Sequence, residues 1–286
     1  MELNKFDQLL LSDYPYIAVF YIPLKPLLVN LIVMTTLWLI CEYIFRKTTI
    51  KQNKEIKLPA FVVFNVILAS QLLPLIVNII YTSIAIKIFD GFNIINIIKF
   101  GGHKINFFIM FFLASISIFI VSLYVIFKPT FRRYMGLGFS LHIGFKKTLF
   151  YTFAGLLIVF LTGFSYSFFF GGDKLIFEMH REMIKSAGTS IIAMVIISGL
   201  IFAPIGEEIL FRGVIYTAIK ERLGFVTALI LQSALFSVMH GSNIAIPFLL
   251  GIVFALLYEK TKSLYPSISV HFFYNLAFYI SIYQKT

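Results

Sequence analysis

The chain has 286 residues, 59% of them hydrophobic and only 13% charged, with a mean hydropathy of +0.92. Soluble domains carry about 25% charged residues, so too few polar side chains remain to cover a water-soluble globule of this length. The composition excludes a two-domain soluble enzyme and implies an integral membrane protein. The net charge of +11 comes from 24 Lys and Arg against 13 Asp and Glu. It sits in short loops between apolar runs, not on one polar face, so it excludes a nucleic-acid partner and reads as positive-inside bias with attraction to the anionic lipid bilayer. Cys41 is the single cysteine, so no intrachain disulfide exists.

A helix needs roughly 20 apolar residues to cross about 30 Å of hydrocarbon. In chain order, residues 27–45, 58–86, 105–127, 148–170, 189–219, 225–240, 246–258 and 267–283 supply such runs. The predicted fold is therefore an all-α polytopic membrane protein of about eight transmembrane helices. The segment before Leu27 carries Tyr14, Tyr16 and Tyr21 and suits the interface. It lacks the basic start and apolar core of a cleavable signal peptide. The run 58–86 contains Pro74 and is long enough to tilt or kink. The run 189–219 is too long for one upright crossing, and Pro204 and Gly206 predict a break inside it.

The loops set the topology. Arg46, Lys47, Lys51, Lys54 and Lys57 fill one loop; Lys128, Arg132, Arg133, Lys146 and Lys147 fill another two crossings later. Both belong in the cytoplasm. Lys220 with Arg222, and Lys260 with Lys262, fall on the same side, which puts both termini outside. The four aspartates, Asp7, Asp13, Asp90 and Asp173, are placed in loops or near the N-terminus. His103, His142 and His180 are also read as loop residues without a role.

Ionisable groups inside hydrocarbon are costly and are functional candidates. Here they concentrate in the last third. The stretch Gly206-Glu207-Glu208-Ile209-Leu210-Phe211-Arg212-Gly213 places two glutamates within an apolar run. Glu208 and Arg212 are four apart and can pair along one helix face. Glu207 points about 100° away, which leaves one carboxylate neutralised and the other free. Further on, Phe236 and His240 share a face, as do His271 and Asn275. The midpoint between Glu207 and His240 falls at Leu223-Gly224, a turn signal. A hairpin there brings the carboxylate beside the imidazole, and His271 with Asn275 can join from a neighbouring helix. Such a convergence has the parts of a hydrolytic site. Depth poses a difficulty: the hairpin puts Glu207 about 24 Å from its turn, whereas His271 follows soon after Lys262. The two agree only if a helix tilts, bends or re-enters.

The motifs Glu207-Glu208-x-x-x-Arg212, Phe236-x-x-x-His240 and His271-x-x-x-Asn275 resemble, in order and form, those of the CAAX protease and bacteriocin-processing (CPBP) family. This is also called the Abi family and includes the Rce1-type CAAX prenyl endopeptidases. The resemblance covers about residues 198–279. It implies an intramembrane endopeptidase in which Glu207 is the general base activating water, assisted by His240. His271 and Asn275 would stabilise the oxyanion, Glu208 and Arg212 would hold the first motif in shape, and Phe236 would pack the site. It divides one membrane domain into N-terminal helices, about four, over 1–187 and a catalytic core over 188–286.

The residues leave the metal question open. Two histidines and a glutamate can bind zinc with a free fourth position, the ligands then being Glu207, His240 and His271. The spacing is not that of H-E-x-x-H, and Asn275 favours a hydrogen-bonded oxyanion and no cofactor. The expected substrate is a hydrophobic or membrane-associated peptide or protein, with roles in peptide-signal or bacteriocin maturation or self-immunity. A prenylated CAAX protein is the alternative substrate. Richness in Ile, Lys, Phe and Asn points to an AT-rich genome and a bacterial plasma membrane. Two readings compete with a peptidase: a non-proteolytic membrane partner of an envelope or signalling protein, and a transporter coupled through a broken helix and buried glutamates.

Overall fold

A computed structural model describes residues 28, 29, 31–36, 38–40, 43, 60–89, 102–128, 143–170, 177, 178, 181, 185, 189–240 and 244–284. Of the described residues 94% are helical and none is in a strand. This is the outcome expected of apolar runs in lipid, where only a helix satisfies its own backbone. Eight helices stand among the described residues: α1 (Leu31–Ile40), α2 (Ala60–Phe89), α3 (Gly102–Phe127), α4 (Phe145–Phe170), α5 (Thr189–Leu223), α6 (Phe225–Val238), α7 (Ala245–Thr261) and α8 (Leu264–Tyr283). Their order and positions follow the apolar runs of the sequence. The chain is a multi-pass integral membrane protein.

Helices α2 to α5 are long and apolar enough to cross a bilayer. On α4, Phe150, Phe153, Phe164, Phe168 and Phe169 are exposed. So continuous an apolar face has lipid as its solvent, since water-soluble monomers rarely expose one. Helix α5 is the opposite case. Every residue from Ile209 to Tyr216 is buried, because α2, α6, α7 and α8 all pack against this stretch, and α3 packs against the turns before it. The ionisable motif therefore lies on the central helix of the bundle. At its far end, Arg222 lies over the Trp38 ring of α1 at 5.2 Å, a cation–π contact.

Pro204 and Gly206 do not break α5. The helix runs through them as α-helical Ala203–Glu208, flanked by π-helical turns over Ser198–Phe202 and Ile209–Tyr216. A proline removes one backbone donor and crowds the preceding turn. Widening that turn to the π pattern relieves the crowding without ending the helix.

The depth difficulty is met by the level of the second turn. Gly224, with φ of 85°, makes the α5–α6 turn. The α7–α8 turn at Lys262 and Ser263 does not reach that level: Glu259 near the end of α7 pairs with Lys220 of α5 at 2.5 Å and accepts from the Tyr216 hydroxyl at 2.8 Å. From Glu208 to Tyr216 is about 12 Å of helix, and so is Ser263 to His271. An inset second turn is what brings the motifs to one depth. His103, expected in a loop, lies in the first turn of α3. His142, His180 and the four aspartates fall outside the described residues.

Candidate active site

The site is assembled from α5, α6 and α8, with α7 behind them. On α5 the π turn has a local consequence. The Ala203 N–H reaches back to Ser198 O, so the next carbonyl in that pattern, Gly199 O, faces Pro204, which has no N–H. The Asn275 amide supplies the missing donor, with Nδ2 2.7 Å from Gly199 O. Two residues later Gly206 lets α3 approach: a Cβ there would lie 3.1 Å from Phe119 Cα and N. Ser122 Oγ donates to Gly206 O across that contact at 2.8 Å. The glutamates are thus carried on a helix clamped from two sides.

The two glutamates part as their 100° offset requires. Glu208 is fully buried, as is Arg212, and Arg212 NH1 donates to Glu208 Oε1 at 2.9 Å. The same oxygen lies 3.1 Å from His271 Nδ1. Arg212 NH2 points at Gly251 O on α7, 3.4 Å away, and Gln232 Nε2 donates to that carbonyl at 3.0 Å. The guanidinium is boxed by the rings of Phe236, Phe254 and Phe211 at 4.5, 5.0 and 5.9 Å. A buried cation held by one carboxylate, a carbonyl and three ring faces is compensated in place, whereas losing its carboxylate would leave it unpaired.

Glu207 faces the other way. Its Oε2 is 3.7 Å from His240 Nε2, and the two side chains keep 16% and 33% of their surface exposed. That distance exceeds a direct hydrogen bond, and Glu207 Oε2 has no hydrogen-bond partner among the described residues. On the far side of the ring, His240 Nδ1 is 2.7 Å from Phe236 O. A carbonyl only accepts, so the geometry assigns the proton to Nδ1 and leaves Nε2 facing Glu207. The Phe236 ring lies 4.3 Å from the His240 ring and 6.0 Å from the His271 ring, centroid to centroid. It spaces the two imidazoles.

Glu207, His240, Glu208, Arg212, Phe236 and His271 therefore come together in two carboxylate–imidazole pairs. His271 pairs with Glu208 and not with Glu207. Asn275 is fixed on Gly199 O and not on a neighbouring motif residue. Sequence reasoning missed Phe254, which stacks on His271 at 5.1 Å and 22°, and the Gln232–Gly251 contact. Phe254 had no signal, being one aromatic among 34 phenylalanines. Gln232 had one: it is a neutral amide inside an apolar helix, and it is fully buried.

The three residues considered for zinc do not present a ligand set. Among the described residues no three His, Cys, Asp or Glu side chains converge as metal ligands; Glu207 faces His240, while His271 stands apart with Glu208. As arranged, Glu207, His240 and His271 do not fit the ion, and no step below uses one.

Comparison with known proteins gives the same region. Residues 189–277 match the family described as Type II CAAX prenyl endopeptidase Rce1-like, so the CPBP resemblance read from the motifs holds over this stretch. The chain is 33% identical over 84 residues to "Putative membrane peptidase YdiL" of Bacillus subtilis (strain 168). The match covers 29% of this chain and 34% of that protein, about a third of the relative's length. No solved structure matches the chain.

Proposed function

We propose that this protein is an intramembrane endopeptidase that cleaves a hydrophobic or membrane-associated peptide with Glu207 as general base. The observation that carries the reading is the division between adjacent glutamates. Glu208 is fully buried and tied through Oε1 to Arg212 and His271, while Glu207 has no such tie and stands beside His240 in a partly exposed position. A carboxylate serves as a base only if it can reach the proton it removes.

In this mechanism a water held by Glu207 Oε2 and His240 Nε2 attacks the scissile carbonyl carbon, and Glu207 takes the water proton. The carbonyl oxygen becomes an oxyanion. His271, when protonated, donates to Glu208 through Nδ1 and offers its Nε2–H to that oxyanion. Asn275 spends one Nδ2 hydrogen on Gly199 O and has the second to give. Donors fixed before the reaction are worth more than donors that must reorient. Collapse of the intermediate breaks the C–N bond, and the proton on Glu207 passes to the leaving amine. The mechanism is metal-free, and residues 188–286 form its catalytic core.

The bacterial relative and the AT-rich composition support a bacterial plasma membrane, with maturation of peptide signals or bacteriocins, or self-immunity, as the role. A prenylated CAAX protein is the eukaryotic counterpart of such a substrate. The transporter reading loses one of its two premises, because α5 is continuous through Pro204. The test is to incubate proteoliposomes with candidate membrane peptides in heavy-oxygen water. Hydrolysis places one heavy oxygen on each new C-terminus, and the label persists in chelator. No labelled terminus with any peptide would support the non-proteolytic partner; loss in chelator with recovery on added zinc would overturn the metal-free mechanism.

A further inference from the structure

The inset α7–α8 turn leaves a recess at the basic end of the bundle, away from the two glutamates. Its cavity of about 360 Å³ is lined by Tyr216, Thr217 and Lys220 of α5, Tyr258 and Glu259 of α7, and Lys262. Glu221 completes the wall. The active-site chemistry uses none of these residues. Lys220 and Lys262 both point their ammonium groups at Glu259, at 2.5 and 2.8 Å, and the Tyr216 hydroxyl donates to the same carboxylate. Two cations thus share one carboxylate, and Lys220 and Lys262 remain 34% and 52% exposed. At Glu259 itself, two partly exposed ammonium groups stand against one carboxylate.

A second observation is independent of the cavity. Lys262 is the non-glycine residue with positive φ among the described residues, at φ 51° and ψ 31°. It caps α7, its N–H bonding to Tyr258 O at 2.7 Å. Glycine or asparagine is the usual occupant of such a cap, because a Cβ is disfavoured in the left-handed region. The left-handed conformation favours glycine, and the helix dipole offsets only part of that cost by favouring a cation at this end. What the lysine adds is an ammonium at the mouth of the recess, and departures of this kind concentrate where a group is held for a purpose.

We propose that this recess binds a phosphate group, supplied by the headgroup of an anionic membrane lipid, with Lys262 and Lys220 as its cationic partners. The position suits a lipid source. The recess lies beside the α5–α6 and α7–α8 turns, where helices leave the hydrocarbon, and basic pockets between helices at that level are suited to anionic headgroups. Lys262, the more exposed cation, meets the phosphate first. Lys220 follows, and the hydroxyls of Thr217 and Tyr258 stand on the same wall. The inference does not rest on the peptidase reading.

The full-length protein, purified in mild detergent, is titrated with phosphatidylglycerol, phosphatidylcholine and inorganic phosphate, and retained lipid is counted by native mass spectrometry beside a thermal melt. Wild type should retain phosphatidylglycerol in preference to phosphatidylcholine. Lys262→Gly should melt close to wild type, since the gain of glycine at the cap offsets the lost exposed pair with Glu259, yet bind phosphatidylglycerol roughly fivefold more weakly, the factor expected for one cation near an anionic headgroup. Lys220→Gln should weaken it similarly, while Lys146→Gln with Lys147→Gln, on another basic stretch, should not. Unchanged retention in Lys262→Gly and Lys220→Gln, or equal retention of phosphatidylcholine, would overturn the proposal. Equal protection by inorganic phosphate would overturn the lipid as its source.

Discussion

One oxygen of Glu208 joins the first motif to the third: Oε1 lies 3.1 Å from Nδ1 of His271, and it also accepts from Arg212 at 2.9 Å. The carboxylate that the sequence assigns to shaping its own helix therefore orients an imidazole on α8 as well. A ring nitrogen bound to a carboxylate fixes the direction in which the other nitrogen points.

This bond separates the two glutamates experimentally. Glu208→Gln leaves the buried Arg212 without its counter-charge, and breaking such a pair costs about 3–5 kcal/mol. Glu207→Gln removes a partly exposed charge that has no cationic partner, and it should not lower stability. Thermal unfolding of both variants in one detergent checks the contrast. Equal melting temperatures would place the Glu208 pair elsewhere.

Pro204 and Asn275 are coupled through Gly199 O. Pro204→Ala restores a backbone N–H that can satisfy that carbonyl, freeing the Asn275 amide to rotate. The expected outcome is unchanged or raised stability with a fall in turnover. Misplacement of a positioned group by about 1 Å costs up to 10²-fold. Turnover equal to wild type would mean that Asn275 needs no such anchor.

Gly251 tests a position outside all three motifs. A Cβ there would lie 3.0 Å from Ser233 Cα and Cβ. Gly251→Ala should push α7 from α6, cost about 1–3 kcal/mol and disturb the carbonyl shared by Gln232 and Arg212. Gln232→Ala should lower activity by the same route with no clash. A melting curve and a cleavage assay on both variants distinguish crowding from loss of the carbonyl contact.

Glu259 lies in the last turn of α7, past the apolar run 246–258, and predicts an acid limit. Burial pushes its carboxyl up, but hydrogen bonds from Lys220, Lys262 and Tyr216 outweigh burial and hold it at about 2, below the usual 4.5. A depressed value means that the ionised form stabilises the fold. That stabilisation is complete above about pH 4.5 and is lost as pH falls towards 2. Between pH 5 and 3 the melting temperature of wild type should fall more steeply than that of Glu259→Gln. Parallel slopes would contradict the assignment.

Much of this was legible in the sequence. The apolar runs gave eight helices because hydrocarbon leaves the backbone no other solution. The three motifs stood out because ionisable groups are rare there, and Gly224 marked the hairpin that brings Glu207 to His240. Three things were hidden. The π turns around Pro204 depend on how α3 and α8 hold α5, so local propensity predicted a break instead. The inset α7–α8 turn follows from packing against Lys220, which sequence distance along α8 does not encode. The pairing of His271 with Glu208 depends on which faces of three helices meet, and motif spacing is equally compatible with Glu207.

The central claim is that Glu207 activates water, and single-turnover cleavage of a membrane peptide in proteoliposomes by wild type and Glu207→Gln tests it most directly. With protein abundance and melting temperature matched, the account predicts a loss of about 10²–10⁴-fold in the cleavage rate, the range for a general base. Cleavage by Glu207→Gln within about threefold of wild type, well short of that range, would contradict it.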